Sequence, residues 1–356
     1  PVPAAAMRPA QPVLMTRASR RAQVEARPGQ RPYAVTRSGM AGLHRYAQTW
    51  SGDNYTAWKS IRYNARQSIG LALSGVSNSG HDVGGFAGPA PSPELLVRWV
   101  QAGVLMPRFS IHSWNDDRTV NEPWMYPDAL PAIRRLMALR QTLIPFLYDL
   151  LHRYHADYEP MVRPLWLDFP RDPQAWAESD DHLLGRDLLV PLVVEPGVTT
   201  RTLRVPLGAD WIDIWGGRRI AGGETVTLPA PLDGPPPLLA RAGSAMLVDL
   251  ARGGWRPEPY RRGLWLFPPA SGAFAAEAIE DAGDGDGPCD LWRIAGEADA
   301  GRVTLSVRRD GPGTFGDDRI TILLPPGDTR ALTVDGGLAE AATIEGRSGV
   351  VVSVGA

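Results

Sequence analysis

Trp50-Ser51-Gly52-Asp53-Asn54 follows a short apolar run and puts a carboxylate beside glycine and tryptophan. Two neighbouring stretches repeat the design. Arg37-Ser38-Gly39 closes the run Arg31-Pro32-Tyr33-Ala34-Val35-Thr36, and Gly80-His81-Asp82-Val83-Gly84-Gly85-Phe86 carries a second carboxylate between glycines. Polar groups at the ends of successive strands, each followed by a helical pattern, predict a parallel α/β layer with a site on its C-terminal face, as in a (β/α)8 barrel. Thr56 to Ser68 has helical periodicity. Ser92 to Ala102 does too, with Ser92 as cap, Pro93 in the first turn and Leu95, Leu96, Trp99 and Val100 as the apolar stripe. Val104 to His112 reads as strand and loop, and Pro127 to Asp149 as a long helix.

Beyond about Pro160 the period changes. Short β-type runs recur at Met161–Leu167, Asp187–Val194, Thr202–Val205, Trp211–Ile214 and Glu224–Leu228, separated by Gly-, Pro- and Asp-rich turns. Further runs lie at Leu264–Phe267, Arg302–Val307, Ile320–Leu324 and Val350–Val354. The expected organisation is a partial (β/α)8 barrel over residues 1–160, then two β-sandwich domains over 161–250 and 251–356.

Composition narrows the function. The 356 residues hold 37 Lys+Arg against 39 Asp+Glu, a net charge of -2, which gives no electrostatic case for nucleic acid or an anionic membrane. No apolar run approaches ~20 residues, which argues against a membrane-spanning helix. Cys289 is the only cysteine, so no internal disulfide and no thiolate metal site is expected. Asp281, Asp284 and Asp286 break calcium-loop spacing and read as a solvated turn. No metal or cofactor is expected. Trp211 and Trp215 read as sheet core or sheet face, and Cys289 as an inert thiol.

Each candidate site residue has two readings. Asp53 either protonates a leaving oxygen or caps the helix that begins near Thr56. A carboxyl that donates to a glycosidic oxygen must hold its proton, which an aromatic wall and restricted water favour. Asp82 either holds hydroxyls of a polyhydroxylated ligand or forms an Asx-turn. His112, at a strand end beside Trp114, is either structural or a hydroxyl ligand.

Six motifs in register go further: RPYAVTRSG from Arg31 to Gly39, TWSGDN from Thr49 to Asn54, GHDVGGFAG from Gly80 to Gly88, ELLVRWVQ from Glu94 to Gln101, NEPW from Asn121 to Trp124, and VRPL from Val162 to Leu165. Together they resemble the C-terminal part of glycoside hydrolase family 31, the α-glucosidase and α-xylosidase family. The resemblance implies a retaining α-glycosidase acting on an oligosaccharide or α-glycoside. Asp53 falls on the general acid/base and Arg37 on a pocket arginine near it. Asp82 and His112 fall on hydroxyl-binding positions, Trp50 and Phe86 on apolar walls, and Arg108 is a weaker candidate. The regions after Pro160 resemble the family's proximal and distal β-domains.

One departure stands out. The family's nucleophile is an Asp in a Trp-x-Asp-type motif on an earlier strand, and the first carboxylate here is Glu25. The chain opens on Pro1-Val2-Pro3 rather than on an initiator Met or a signal peptide. The expectation is a chain that starts mid-domain, carries the acid/base without the nucleophile and is inactive alone. No compartment or oligomeric state follows. Family members that are transglycosylases or α-glucan lyases share these motifs. A carbohydrate-binding protein with a vestigial half barrel is the reading from another class.

Overall fold

The computed structural model describes residues 3–177, 180–251, 261–312, 319–334 and 339–354. The opening Pro1-Val2, most of the stretch just past residue 250, and the terminal Gly355-Ala356 lie outside them. Helices α1 (Ala4–Met7) and α2 (Ala10–Ala26) lead into strands β1 (Val35–Thr36), β2 (Gln48–Trp50), β3 (Ser79–Val83) and β4 (Arg108–Ile111). These four form one sheet in the order β1-β2-β3-β4, parallel at every pairing. Helices α3 (Trp58–Leu73) and α4 (Pro93–Gly103) fill the β2–β3 and β3–β4 crossovers, and α5 (Leu130–Asp157) follows β4. Parallel pairing puts every strand's C-terminus at the same edge, so the loops after β1, β2, β3 and β4 converge there.

The local chemistry of α4 sets its limits. Ser92 accepts a hydrogen bond from the Leu95 amide, Pro93 sits in the first turn, and Leu96, Trp99 and Val100 are buried. Helix α5 runs eight residues past the expected Asp149 and carries Pro145 inside it. It stops where Tyr158 takes a left-handed conformation, φ 57°. Leu136 and Leu143 are buried on its inner face, and Leu139 packs against the same core.

Past α5 the chain is mostly antiparallel. Strands β5 (Val162–Arg163), β6 (Asp181–Leu184), β7 (Leu188–Pro191), β9 (Trp211–Asp213), β10 (Arg219–Ile220) and β12 (Leu239–Arg241) make a six-stranded sheet, beside the β8 (Thr200–Arg204) and β11 (Thr225–Pro229) ribbon. The run Met161–Leu167 is not one strand. Its first part is β5, and Pro164 then opens a helical turn, α6 (Leu165–Asp168), closed by the Arg163–Asp168 pair at 2.7 and 3.0 Å.

Two further sheets follow. One holds β13 (Ser244–Asp249), β14 (Arg262–Phe267), β18 (Arg319–Leu323), β20 (Ala339–Ile344) and β21 (Arg347–Ser353). The other holds β15 (Gly272–Glu280), β16 (Asp290–Ala298), β17 (Arg302–Asp310) and β19 (Ala331–Val334). A continuous apolar core runs from Leu96, Val100 and Leu136 through Val190 and Ile212 to Trp265, so the helical and β regions share packing. Arg98, 1% exposed, reaches from α4 to the Val198 and Ala230 carbonyls at 2.6 and 2.8 Å. Among the described residues no helix is long and apolar enough to cross a membrane.

Asp281 is not in a solvated turn. Its side chain is almost fully buried, bonds Arg31, and lies 3.1 Å from His152 Nε2. Asp284 accepts from the Arg31 amide at 2.6 Å. These contacts tie the β15–β16 turn to the loop after α2 and to α5, which is why burial wins over solvation here. Trp211 is fully buried, whereas Trp215 is only partly covered.

Candidate active site

Arg37 leaves β1, Asp53 leaves β2, Asp82 sits near the end of β3 and His112 follows β4. All lie at the shared C-terminal edge. Arg37 Nη1 is 2.9 Å from Asp53 Oδ1, with the side chains 54% and 49% exposed. Gly52 makes this approach possible. Its φ is +82°, and a Cβ there would stand 2.8 Å from Arg37 Cδ. The carboxylate does not cap α3, whose N-cap is Ala57 with no side-chain bond.

Asp82 is 0% exposed. Arg108 Nη1 lies 3.6 Å from its Oδ1, an ion pair too long to be a hydrogen bond. Burial pushes the Asp82 carboxyl above the usual carboxylate range, Arg108 and His112 pull it back, and Asp53 pushes it further up. Among the described residues neither Asp82 oxygen has a hydrogen-bond partner, nor does Arg108 Nη1 or the Trp50 indole Nε1. No Asx-turn forms, since Gly85 N donates to the Asp82 main-chain carbonyl instead, at 3.2 Å.

Aromatic rings lie beside Arg108 and His112. The Arg108 guanidinium lies 5.4 Å from the Trp50 ring centre, and Phe86 meets His112 at 5.2 Å between ring centres. Gly85 is at φ +89°, where a Cβ would meet Thr56 Oγ1 at 2.2 Å, so only glycine lets the Phe86 loop fold over the end of β2.

Two residues matter more than sequence reasoning suggests. Asn54 donates to Asn64 Oδ1 and to the Asp82 carbonyl, both at 3.1 Å, and its own carbonyl accepts from Phe86 and Ala87 at 2.8 and 3.0 Å. It fastens the Asp53 loop to the Phe86 loop. The available signal is its place as the last residue of the TWSGDN motif. Arg108, a weaker candidate in the sequence, touches both Asp82 and Trp50. Its signal is the four-residue spacing to His112 along β4. Beneath them His81 is buried, with Nε2 2.7 Å from Ser68 Oγ, and burial with the nearby Arg108 charge takes its pKa down to about 3.

Among the described residues a grouping with metal-ligand side chains lies elsewhere, at His152, Asp281 and Cys289. Arg31 already neutralises Asp281 there, which weakens the case for a cation. Cys289 Sγ is 3.8 Å from His152 Nδ1, and burial together with Asp281 holds its thiol pKa up.

Comparison with known proteins identifies the family. Residues 2–150 match the glycosyl hydrolases family 31 TIM-barrel domain, and residues 158–246 the glycosyl hydrolase family 31 C-terminal domain. Neutral alpha-glucosidase C of Mus musculus is 37% identical over 238 residues, covering 65% of this chain and 26% of that protein. Alpha-glucosidase 2 of Bacillus thermoamyloliquefaciens is 33% identical over 234 residues, covering 65% of this chain and 29% of that protein. The chain thus spans under a third of either relative's length. Among solved structures, a Flavobacterium johnsoniae GH31 dextranase complexed with glucose superposes with a TM-score of 0.82 at 22% identity, over 96% of this chain and 46% of that one, a likeness of fold. The GH31 alpha-xylosidase from Xanthomonas citri gives a TM-score of 0.76 at 26% identity, over 89% of this chain and 37% of that one. Two domain models of one family, matched in succession, establish that the chain belongs to glycosyl hydrolase family 31.

Proposed function

We propose that this chain supplies the acid/base side of a retaining α-glycoside hydrolase site, and that its four-stranded parallel sheet is half of a (β/α)8 barrel followed by two β-sandwiches. One observation carries the reading. Asp82, Arg108 and Trp50 bring four polar atoms out of water with no hydrogen-bond partner among the described residues, beside an accessible Asp53–Arg37 pair. Folding rarely leaves such groups unpaired unless a ligand meets them. A sugar ring suits the set, since its hydroxyls both donate and accept and its C–H face packs on aromatics.

In this reading Asp53, protonated, gives its proton to the leaving glycosidic oxygen and then takes one from the attacking water. Arg37 orients that carboxyl and balances its charge. Asp82 and His112 bind hydroxyls, Arg108 holds Asp82 in place, and Trp50 and Phe86 wall the ring. Asp82 is a poor second carboxylate for a retaining pair, because Arg108 faces it at 3.6 Å and the family resemblance gives it a binding role. A retaining mechanism needs a carboxylate about 5–5.5 Å from the acid/base. We assign that nucleophile to a part of the enzyme outside this chain, so the chain alone is inactive. The named relatives are α-glucosidases, which makes α-linked glucosides the substrate class to test first.

The test uses the active enzyme of which this chain forms part. Asp53→Ala is expected to slow disaccharide hydrolysis by about 10²–10⁴-fold and to slow aryl glycosides with activated leaving groups far less. Equal losses on both substrates would remove the acid role. Turnover by the isolated chain, abolished by Asp53→Asn, would contradict its inactivity.

A further inference from the structure

Tyr55, two residues past Asp53, is a large aromatic side chain left 53% exposed. Its main chain is nevertheless held firmly. Tyr55 pairs with Ala87 as an isolated bridge, the Thr56 amide donates to the Ala87 carbonyl at 2.8 Å, and Ser60 Oγ donates to the Tyr55 carbonyl at 2.6 Å. These loops follow β2 and β3, the two inner strands of the four-stranded sheet, so Tyr55 is not on an edge strand.

The Tyr55 ring lies across Gly88. A Cβ on that glycine would stand 2.8 Å from both Cε2 and Cζ of Tyr55, and 3.1 Å from Cε1. Three ring carbons stand that near and the hydroxyl oxygen farther off, so the glycine backs one face of the ring. With more than half of the residue exposed, the opposite face is open.

Gly88 also holds Asp116. The Gly88 amide donates to Asp116 Oδ1 at 3.0 Å, and the Gly88 carbonyl accepts from the Asp116 amide at 2.9 Å. Asp116 is exposed, and its Oδ2 has no partner among the described residues. One glycine thus brings together an open aromatic face and an accessible carboxylate oxygen, both on backbone tied down by main-chain hydrogen bonds. The combination suits a pyranose, whose C–H face packs on the ring and whose hydroxyls donate to the carboxylate.

Position says which sugar. Two residues of chain span at most about 7 Å, which keeps Tyr55 close to Asp53. Asp82 is fully buried at the floor of the site, whereas Tyr55 and Asp116 are exposed at its mouth. A glycone seated on Asp82 leaves its glycosidic oxygen at Asp53 and its leaving sugar toward that mouth. We propose that Tyr55 and Asp116 form the leaving-sugar subsite, the ring of Tyr55 carrying the sugar and Asp116 accepting from its hydroxyls. The proposal rests on the acid/base role given to Asp53 above, and it makes these two residues determinants of which α-glycosides are cleaved.

The experiment compares maltose with α-glucosyl fluoride on the active enzyme of which this chain forms part. Both deliver the same glycone, but the fluoride brings no leaving sugar. Tyr55→Ala should lower kcat/KM for maltose about ten-fold, and by at least about five times more than for the fluoride. Tyr55→Phe, which keeps the aromatic face, should lose less than about three-fold on maltose. Equal losses on the two substrates, an undiminished kcat/KM for maltose, or equal losses on maltose from both variants would overturn the subsite. If the unaltered enzyme turned over neither substrate, the function proposed above would fall, and the subsite with it.

Discussion

Asp82 and Arg108 face each other across adjacent parallel strands at 3.6 Å, and neither Asp82 oxygen finds a hydrogen bond among the described residues. The carboxylate is therefore desolvated with only partial compensation, and its pKa is raised. A raised folded-state pKa stabilises the protein below the ordinary carboxylate value, and that contribution is lost as pH rises through the folded value. Asp82→Asn should flatten the fall in stability on the alkaline side of about pH 4, the ordinary carboxylate value, while abolishing sugar binding at the strand ends. Urea unfolding across that pH range, with a sugar titration of the same variant, checks both halves.

Two buried histidines act in the opposite sense. His81 is taken down to about 3 and His182 to about 4, each chiefly by burial. The unfolded chain takes up these protons near pH 6.5 and the folded one does not. Stability is full above that pH and falls as acid is added, by roughly 1.4 kcal/mol per pH unit for each group. His182→Leu should shallow the slope between about pH 6 and pH 4 by about half of the two groups' share. Thermal unfolding at stepped pH is the measurement.

Gly85→Ala should cost about 1–3 kcal/mol. The added Cβ meets Thr56 Oγ1 and the Thr56 backbone in a left-handed conformation that alanine resists. The strain falls on the loop that carries Phe86, so sugar affinity should drop together with the denaturation midpoint.

Arg98→Met keeps most of the apolar stem but removes the donors to the Val198 and Ala230 carbonyls. Leaving those acceptors unpaired should cost about 3 kcal/mol. The loss should appear as earlier unfolding of the β regions relative to the α/β layer, read by hydrogen exchange.

Parts of this fold are plain in the sequence and parts are hidden. Ser92-Pro93 and the stripe Leu95, Leu96, Trp99 and Val100 carry their own cap, first turn and period, so α4 reads directly. Strand β15 does the reverse. Ala273-Phe274-Ala275-Ala276-Glu277-Ala278 is rich in helix formers, and only its pairing along the whole length of β16 makes it a strand. The full span of α5 is masked by Pro145, a residue that marks helix ends. At the site, glycine beside charge at strand ends picks out Arg37, Asp53 and Asp82. The sequence is silent on which groups touch. Asn54 as the clasp between two loops, and Arg108 against both Asp82 and Trp50, follow from strand register, which no local pattern encodes.

The central claim is that Asp53 is the acid/base of a retaining site, and azide tests it most directly. In Asp53→Ala of the active enzyme, an activated aryl α-glucoside should still form the glycosyl-enzyme, whose hydrolysis then lacks its base. Azide needs no base. Added azide should restore turnover by about ten-fold or more and yield the α-glucosyl azide. No acceleration by azide, or a β-configured azide product, would contradict the account.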